Sequence, residues 1–282
     1  MAEVNVSTWE QFVAEITTRT GIGVDDLKTI NLIADIDLND TQPEGVTSRI
    51  ISHNDATWTI NGNGHTIRNL TFISSSPNFM FGDESTAYDY SYLLFKNIKF
   101  ENLSLINQVT GNGLVRLFSR VKFEDSDISL KLSGFAQACD WDAKVSFKRC
   151  GVRVEGIEGL GQGMPYFGTK ENVEQCNFAL YGVFSPVDLR MQSCFLDGDF
   201  DVTGSGALFG YSSHSIVIAT IHQGYNDYVR FVNGANNAIL RANVKNGDIS
   251  GGYISCTEEQ IKSPSYLASK GFDIIPIIVG GD

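Results

Sequence analysis

Val121-Lys122-Phe123-Glu124-Asp125-Ser126-Asp127-Ile128-Ser129-Leu130 is followed, 24 residues on (145 − 121), by Val145-Ser146-Phe147-Lys148-Arg149-Cys150-Gly151-Val152-Arg153-Val154. The two segments agree position for position. Each has a short apolar strand, a polar break ending in a small residue, and a second strand that alternates apolar and polar. Looser copies run from Ile98 to Leu105 around Asn102, from Val173 to Leu180 around Cys176, and from Met191 to Leu196 around Cys194. Aligned this way, Asn69, Asn102, Ser126, Cys150, Cys176 and Cys194 share one structural position, at steps of 33, 24, 24, 26 and 18 residues. A second column, Phe95, Phe118, Phe209 and Phe231, starts strands in corresponding places.

A period of that length holding two or three short strands describes a parallel β-helix. Coils stack about 4.8 Å apart, so like residues fall on like. Inward Phe, Ile, Leu and Val fill the interior, while Cys, Ser and Asn suit a tight bend where side chains hydrogen-bond along the stack. A β-sandwich accounts for the alternation. It does not explain why Ser126, Cys150 and Cys176 are followed by apolar residues at the same two offsets.

Outward from the repeat, the flanks change character. Ser7-Thr8-Trp9-Glu10 has capping-box spacing, and Trp9, Phe12, Val13 and Ile16 recur at helical intervals. Thr257-Glu258-Glu259-Gln260 repeats the device before Ile261, Pro264 limits that helix, and Gly271 suits its end. The expected architecture is therefore all-β: a single-stranded parallel β-helix of about nine to ten coils with short N- and C-terminal capping helices. The expected divisions are a helical cap over 1–28, a stack over 29–255 with a loop insertion at 74–93, and a helix with a strand tail over 256–282.

Composition excludes several function classes. The 282 residues hold 21 Lys+Arg against 33 Asp+Glu, a net charge of −12, which is the wrong sign for gripping a phosphate backbone. No apolar run approaches a membrane span of about 18 residues. Neither nucleic acid nor membrane is an expected partner. Five scattered cysteines without a CxxC pair, and only four histidines, supply no zinc framework, so no cofactor or metal is expected. Thiols in this pattern fit buried small hydrophobes in a protein made under reducing conditions. The opening MAEVNVSTWEQF has neither the basic nor the apolar region of an export signal, unless one has been removed.

Thr59-Ile60-Asn61-Gly62-Asn63-Gly64-His65-Thr66-Ile67-Arg68-Asn69-Leu70-Thr71-Phe72 resembles an early coil of the pectate-lyase-like right-handed β-helices. Cys256 to Lys262, with Tyr266-Leu267 and Gly271-Phe272, is similar to the segment closing Gly-Leu-Gly repeat regions of bacterial surface proteins. The resemblance implies a right-handed parallel β-helix over about residues 29 to 255. It leaves function open, because the fold hosts lyases, hydrolases, adhesins and bacteriophage tailspikes. The N-T-D, H-G and R-I-K motifs of polygalacturonase-like members do not occur in the chain, and Asp25-Asp26 precedes the stack.

Three places remain as candidate sites. In Asp197-Gly198-Asp199-Phe200-Asp201-Val202 the carboxylates share the outer face, so Asp199 and Asp201 are the weak catalytic candidates, against a solvated edge as the plainer alternative. Phe79, Phe81, Tyr88, Tyr90 and Tyr92 lie in the longest step and suit stacking on sugar rings or a partner, or packing on their own coil. Ile274, Ile275, Ile277, Ile278 and Val279 form an apolar terminal strand, expected either to cover the last coil or to pair with another chain. The leading expectation is a non-catalytic structural or receptor-binding protein of a virion, such as a bacteriophage tail or capsid-associated appendage. Its partners would be other virion proteins or host-surface polysaccharide, in a homo-oligomer or larger assembly. The alternatives are a tailspike-like polysaccharide hydrolase or lyase, and an adhesin on a bacterial cell surface.

Overall fold

Each copy of the repeat folds into one coil of a parallel stack. The computed structural model describes residues 2–17, 28–38, 57–74, 79–82, 92–107, 115–134, 136–139, 145–158, 165–185, 187–203, 207–210, 215–223, 229–232, 239–240, 243–245, 249–251 and 254–271. A first sheet of 11 strands, a second of 12 and a third of 3 run along the molecule. All the pairings between the described strands are parallel. Phe123 pairs with Phe147 in the first sheet and Ile128 with Val152 in the second, so the 24-residue repeat is one full coil. Alternation sets the faces: along Asp127–Ser133, Ile128, Leu130 and Leu132 are buried while their neighbours point out.

The corner between the first and second sheets explains the Ser/Cys column. Asn97, Asp125, Arg149, Gln175 and Ser193 all adopt left-handed backbone, with φ of 51°, 51°, 53°, 54° and 52°. Each is followed by the residue that turns inward: Ile98, Ser126, Cys150, Cys176 and Cys194. A small side chain here serves two backbone groups. The Cys176 sulfur accepts from the Cys150 amide at 3.4 Å and donates to the Glu174 carbonyl at 3.1 Å. Cys194 accepts from the Cys176 amide at 3.4 Å, the Ser126 hydroxyl from the Ile98 amide at 3.3 Å, and the Ser215 hydroxyl from the Cys194 amide at 3.1 Å. Cys150, Cys176 and Cys194 are free and buried in successive coils.

Two expected columns are corrected. Asn69 and Asn102 do not share the Ser/Cys corner. They adopt left-handed backbone (φ 61° and 54°) within the second sheet and make their own ladder, Asn102 Nδ2 to Asn69 Oδ1 and Asn69 Nδ2 to Asp37 Oδ1, both 2.9 Å. Ile98 takes the corner in that coil, 28 residues before Ser126. Phe118 does not share a column with Phe95. Phe95, Phe123 and Phe147 stack in the first sheet with ring centroids 5.2 Å apart, whereas Phe118 stacks on Phe81 in the third sheet at 5.9 Å. Phe209 and Phe231 pair with each other in register with Leu189, not with Phe95.

The stack also begins earlier than 29. Ala2–Val6 pairs in parallel with Lys28–Leu32 as the outermost rung of the first sheet, ahead of the helix Trp9–Thr17. Five residues give too short an alternation for that rung to be legible in the sequence. Thr8, rather than Ser7, caps the helix: its hydroxyl accepts from the Gln11 amide, and the Gln11 side chain accepts from the Ser7 amide. Trp9, Phe12 and Ile16 pack into the core with Ile30 and Leu32, closing the N-terminal end. Lys28 is almost fully buried beneath this cap, where its ammonium donates to the Glu15 carboxylate and carbonyl, each at 2.7 Å.

The C-terminal helices, Glu258–Ile261 and Pro264–Ser269, follow the expected capping signals. Thr257 and Gln260 bond reciprocally, and Ser263 caps the second helix with Pro264 in its first turn. Their position differs from the expectation that they close the stack. Ile261 and Leu267 pack with Phe195 and Ile216, which face outward from the second sheet, so the pair lies on the flank of the solenoid. Apolar residues at those outward positions give the helices something to bury, which an end-on cap would leave exposed.

Candidate functional site

The outward positions of the second sheet form a groove of about 390 Å³. One column runs Lys99, Asp127, Gly151, Asn177 and Phe195, each in register with the next. Beside it run Ser129, Arg153, Ala179 and Asp197, with Glu101 where the Lys99–Asn107 strand bulges opposite Ser129. The hollow follows from side-chain size. Gly151 and Ala179 form its floor, while Arg153, Tyr181, Phe195 and the carboxylates rise around them. A Cβ at Gly151 would come within 2.5 Å of an Asp127 carboxylate oxygen, so that carboxylate leans across the floor. The Arg153 guanidinium sits 4.5 Å from the centre of the Tyr181 ring, which holds a long side chain in place at the rim.

Chemically the groove offers carboxylate acceptors, an amide, a guanidinium and aromatic edges, the set that recognises hydroxyl-rich ligands. Strands on both sides of it are already paired, so it presents side chains and not a free backbone edge. Among the described residues, no group of three or more His, Cys, Asp or Glu is placed to hold a metal ion.

The candidate residues from the sequence divide. Asp199 and Asp201 do face outward on the strand Phe195–Val202, next to the groove's Asp197. Asp199 is 66% exposed and accepts a 2.9 Å bond from His222 Nε2. Phe81 is corrected from binding residue to core: it is wholly buried, edge-on to Phe95 and stacked on Phe118. Phe79 belongs to the same rung, Phe79–Gly82, so this part of 74–93 is built into the third sheet and is not a loop outside the coil. Tyr92 begins a strand of the first sheet, with the Lys122 ammonium 3.8 Å above its ring. Tyr88, Tyr90 and Ile274, Ile275, Ile277, Ile278 and Val279 lie outside the described residues.

The Asn61–His65 motif is a turn, as the resemblance implies. Gly62 is required there because a Cβ would collide with Asn97 and Ile98 of the next coil. Its neighbours make a surface knot in which Asp35 accepts from the Thr66 amide at 3.0 Å, the His65 ring at 3.1 Å and Arg68 at 3.1 Å. The Thr66 amide, then the His65 ring, hold the Asp35 carboxyl below its ordinary value. In the Ser/Cys column, contact with Cys176 and then burial push the Cys150 thiol up. For Cys176 the bond with Cys150 pulls down, but the bond with Cys194 and burial prevail, and it is pushed up to about 12. Burial is the largest influence on Cys194 and raises it, yet the bonds with Cys176, Gln192 and Gln175 together outweigh this and lower it.

The groove residues Asp127, Gly151, Ser129 and Arg153 lie inside the two quoted repeats. The available signal was their outward positions, which change from copy to copy while the inward ones stay apolar.

Three parallel sheets wound into stacked coils, with left-handed corners and side-chain ladders, define a parallel β-helix. Residues 3–130 match the family model described as "Putative pectate lyase-like adhesive domain", a stretch that includes the groove's Lys99, Glu101, Asp127 and Ser129. A search of curated proteins finds no match.

Proposed function

We propose that the chain is a non-catalytic adhesive module, displayed on a surface and binding host glycan through the outer face of its second sheet. The groove over Gly151 and Ala179 carries this reading, because it is a concave, mixed-charge face built from the outward positions of the repeat. The similarity of residues 3–130 to an adhesive domain supports it. A bacterial cell surface is the carrier that an adhesive domain favours. A virion appendage is the second reading, favoured by one observation: Cys150, Cys176 and Cys194 are free thiols, as in proteins folded in a reducing cytoplasm and released by lysis.

The test is binding of the purified full chain to host cells and to immobilised polysaccharide, with chain length of the polysaccharide followed in parallel. Saturable binding without shortening is expected, and Arg153→Gln with Asp127→Asn should reduce it. Shortened polysaccharide that depends on Asp199 or Asp201 would overturn the non-catalytic reading in favour of a hydrolase or lyase.

A further inference from the structure

The groove runs along the solenoid axis and stops. From the Lys99 rung to the Phe195 rung there are four inter-strand steps, about 19 Å at the usual strand spacing. At the far end Phe195 is only 6% exposed. The next outward residues, Ile216 and Ile218, are apolar and lie under Ile261, Tyr266 and Leu267 of the terminal helices. A chain lying in the groove therefore meets a wall. At the Lys99 end the neighbouring rung carries Arg68, which with Asp35 and His65 is partly open to solvent.

Charge narrows the occupant. The groove places Glu101, Asp127 and Asp197 against Lys99 and Arg153, an excess of one carboxylate, on a chain whose net charge is −12. That field repels a polyanion and accepts hydroxyls or an ammonium group. A protein segment added as a strand needs an unpaired backbone edge, and both neighbours of every groove strand are already paired. The volume is near the small end of the ~300–1,000 Å³ typical of ligand sites. We infer that this groove captures the terminus of a neutral or amino-sugar glycan, and neither the middle of a polymer nor a polyuronate. The inference rests on the adhesive reading and goes further, to which part of which glycan class is held.

The test uses the full chain and linear oligosaccharides of glucose, mannose and N-acetylglucosamine or glucosamine, of two to eight units. Each is immobilised through one end or the other, beside cyclic glucans, which have no terminus, and oligogalacturonates. Binding should depend on which end is free, reach a plateau as length grows, and be absent for the cyclic and uronate probes. Arg153→Gln and, separately, Asp197→Asn should each weaken it about tenfold, the loss of one charge-assisted bond. Unchanged thermal melting will show that the variants are folded. Affinity that keeps rising with length, equal binding of cyclic glucans, or a preference for oligogalacturonates overturns the terminus inference and leaves adhesion standing. Binding to cells through protein alone, or no binding at all, overturns the glycan reading as well.

Discussion

Replacing Cys176 separates what its sulfur does from what its volume does. The side chain fills a corner with 1% exposure, and its sulfur is the acceptor for the Cys150 amide one coil back. Cys176→Val keeps the site apolar and filled but removes that acceptor. A buried amide left without a partner costs about 1–3 kcal/mol. Cys176→Ser keeps an acceptor of the kind that Ser126 and Ser215 already provide in the same column. It loses some apolar contact, worth less than about 1 kcal/mol. Valine should therefore destabilise by about 2 kcal/mol and serine by less than half of that. In urea this is a midpoint shift of roughly 0.7 M for valine, taking a slope near 3 kcal/mol per M. Hydrogen exchange at the Cys150 amide should accelerate in the valine variant alone. A neutral valine with a strongly destabilising serine would refute the reasoning and leave packing as the only role of the row.

Three further outcomes are expected. With Cys150 and Cys176 held protonated by their raised pKa and by burial, a thiol reagent at pH 8 should label the half-buried Cys256 ahead of both and reach Cys150 and Cys176 only in denaturant; fast native labelling of Cys176 would contradict this. Gly182→Ala should destabilise by more than about 1 kcal/mol in chemical denaturation, because φ is 89° there and a Cβ would run into the Gly156 carbonyl; a neutral effect would mean the two coils can separate freely. Asp35 is depressed in the folded state, so its contribution is present above the unfolded carboxyl value of about 3.9 and disappears as pH falls; Asp35→Asn should melt with a smaller drop between pH 7 and pH 3 than the parent, and an equal drop would remove Asp35 from the acid response.

The coil was legible in the sequence because inward positions repeat both in chemistry and at a fixed offset from the corner. Phe123 over Phe147 and Ile128 over Val152 came straight from that offset. The phase failed where a coil departs from it. Asn102 resembles a corner residue, yet its own bulge lengthens the strand, so the alignment slipped from Ile98 to Asn102. Phe81 reads as equally suited to a partner or to its own coil because the long step hides a rung of the third sheet, and a four-residue strand carries too little pattern to be recognised. Of the groove, only Asp197 stood out, as part of an acidic run. A hollow made by Gly151 and Ala179 is defined by what neighbouring coils place around them, which is a property of stacking and not of any one segment.

The first rung has a mechanical consequence. Among the described strands, Ala2–Val6 is joined to the stack along one side only, by its ladder to Lys28–Leu32. Tension entering through residue 2 and directed along the solenoid axis would open that ladder one bond at a time, a peeling geometry that yields at low force. What opposes it is the helix behind, since Trp9, Phe12 and Ile16 are anchored in the interior and Lys28 is clamped to Glu15. Load passed on beyond Thr17 would bypass the weak rung altogether. Under pull, the rung ahead of the N-terminal helix would therefore give way before the coils that carry the groove are distorted.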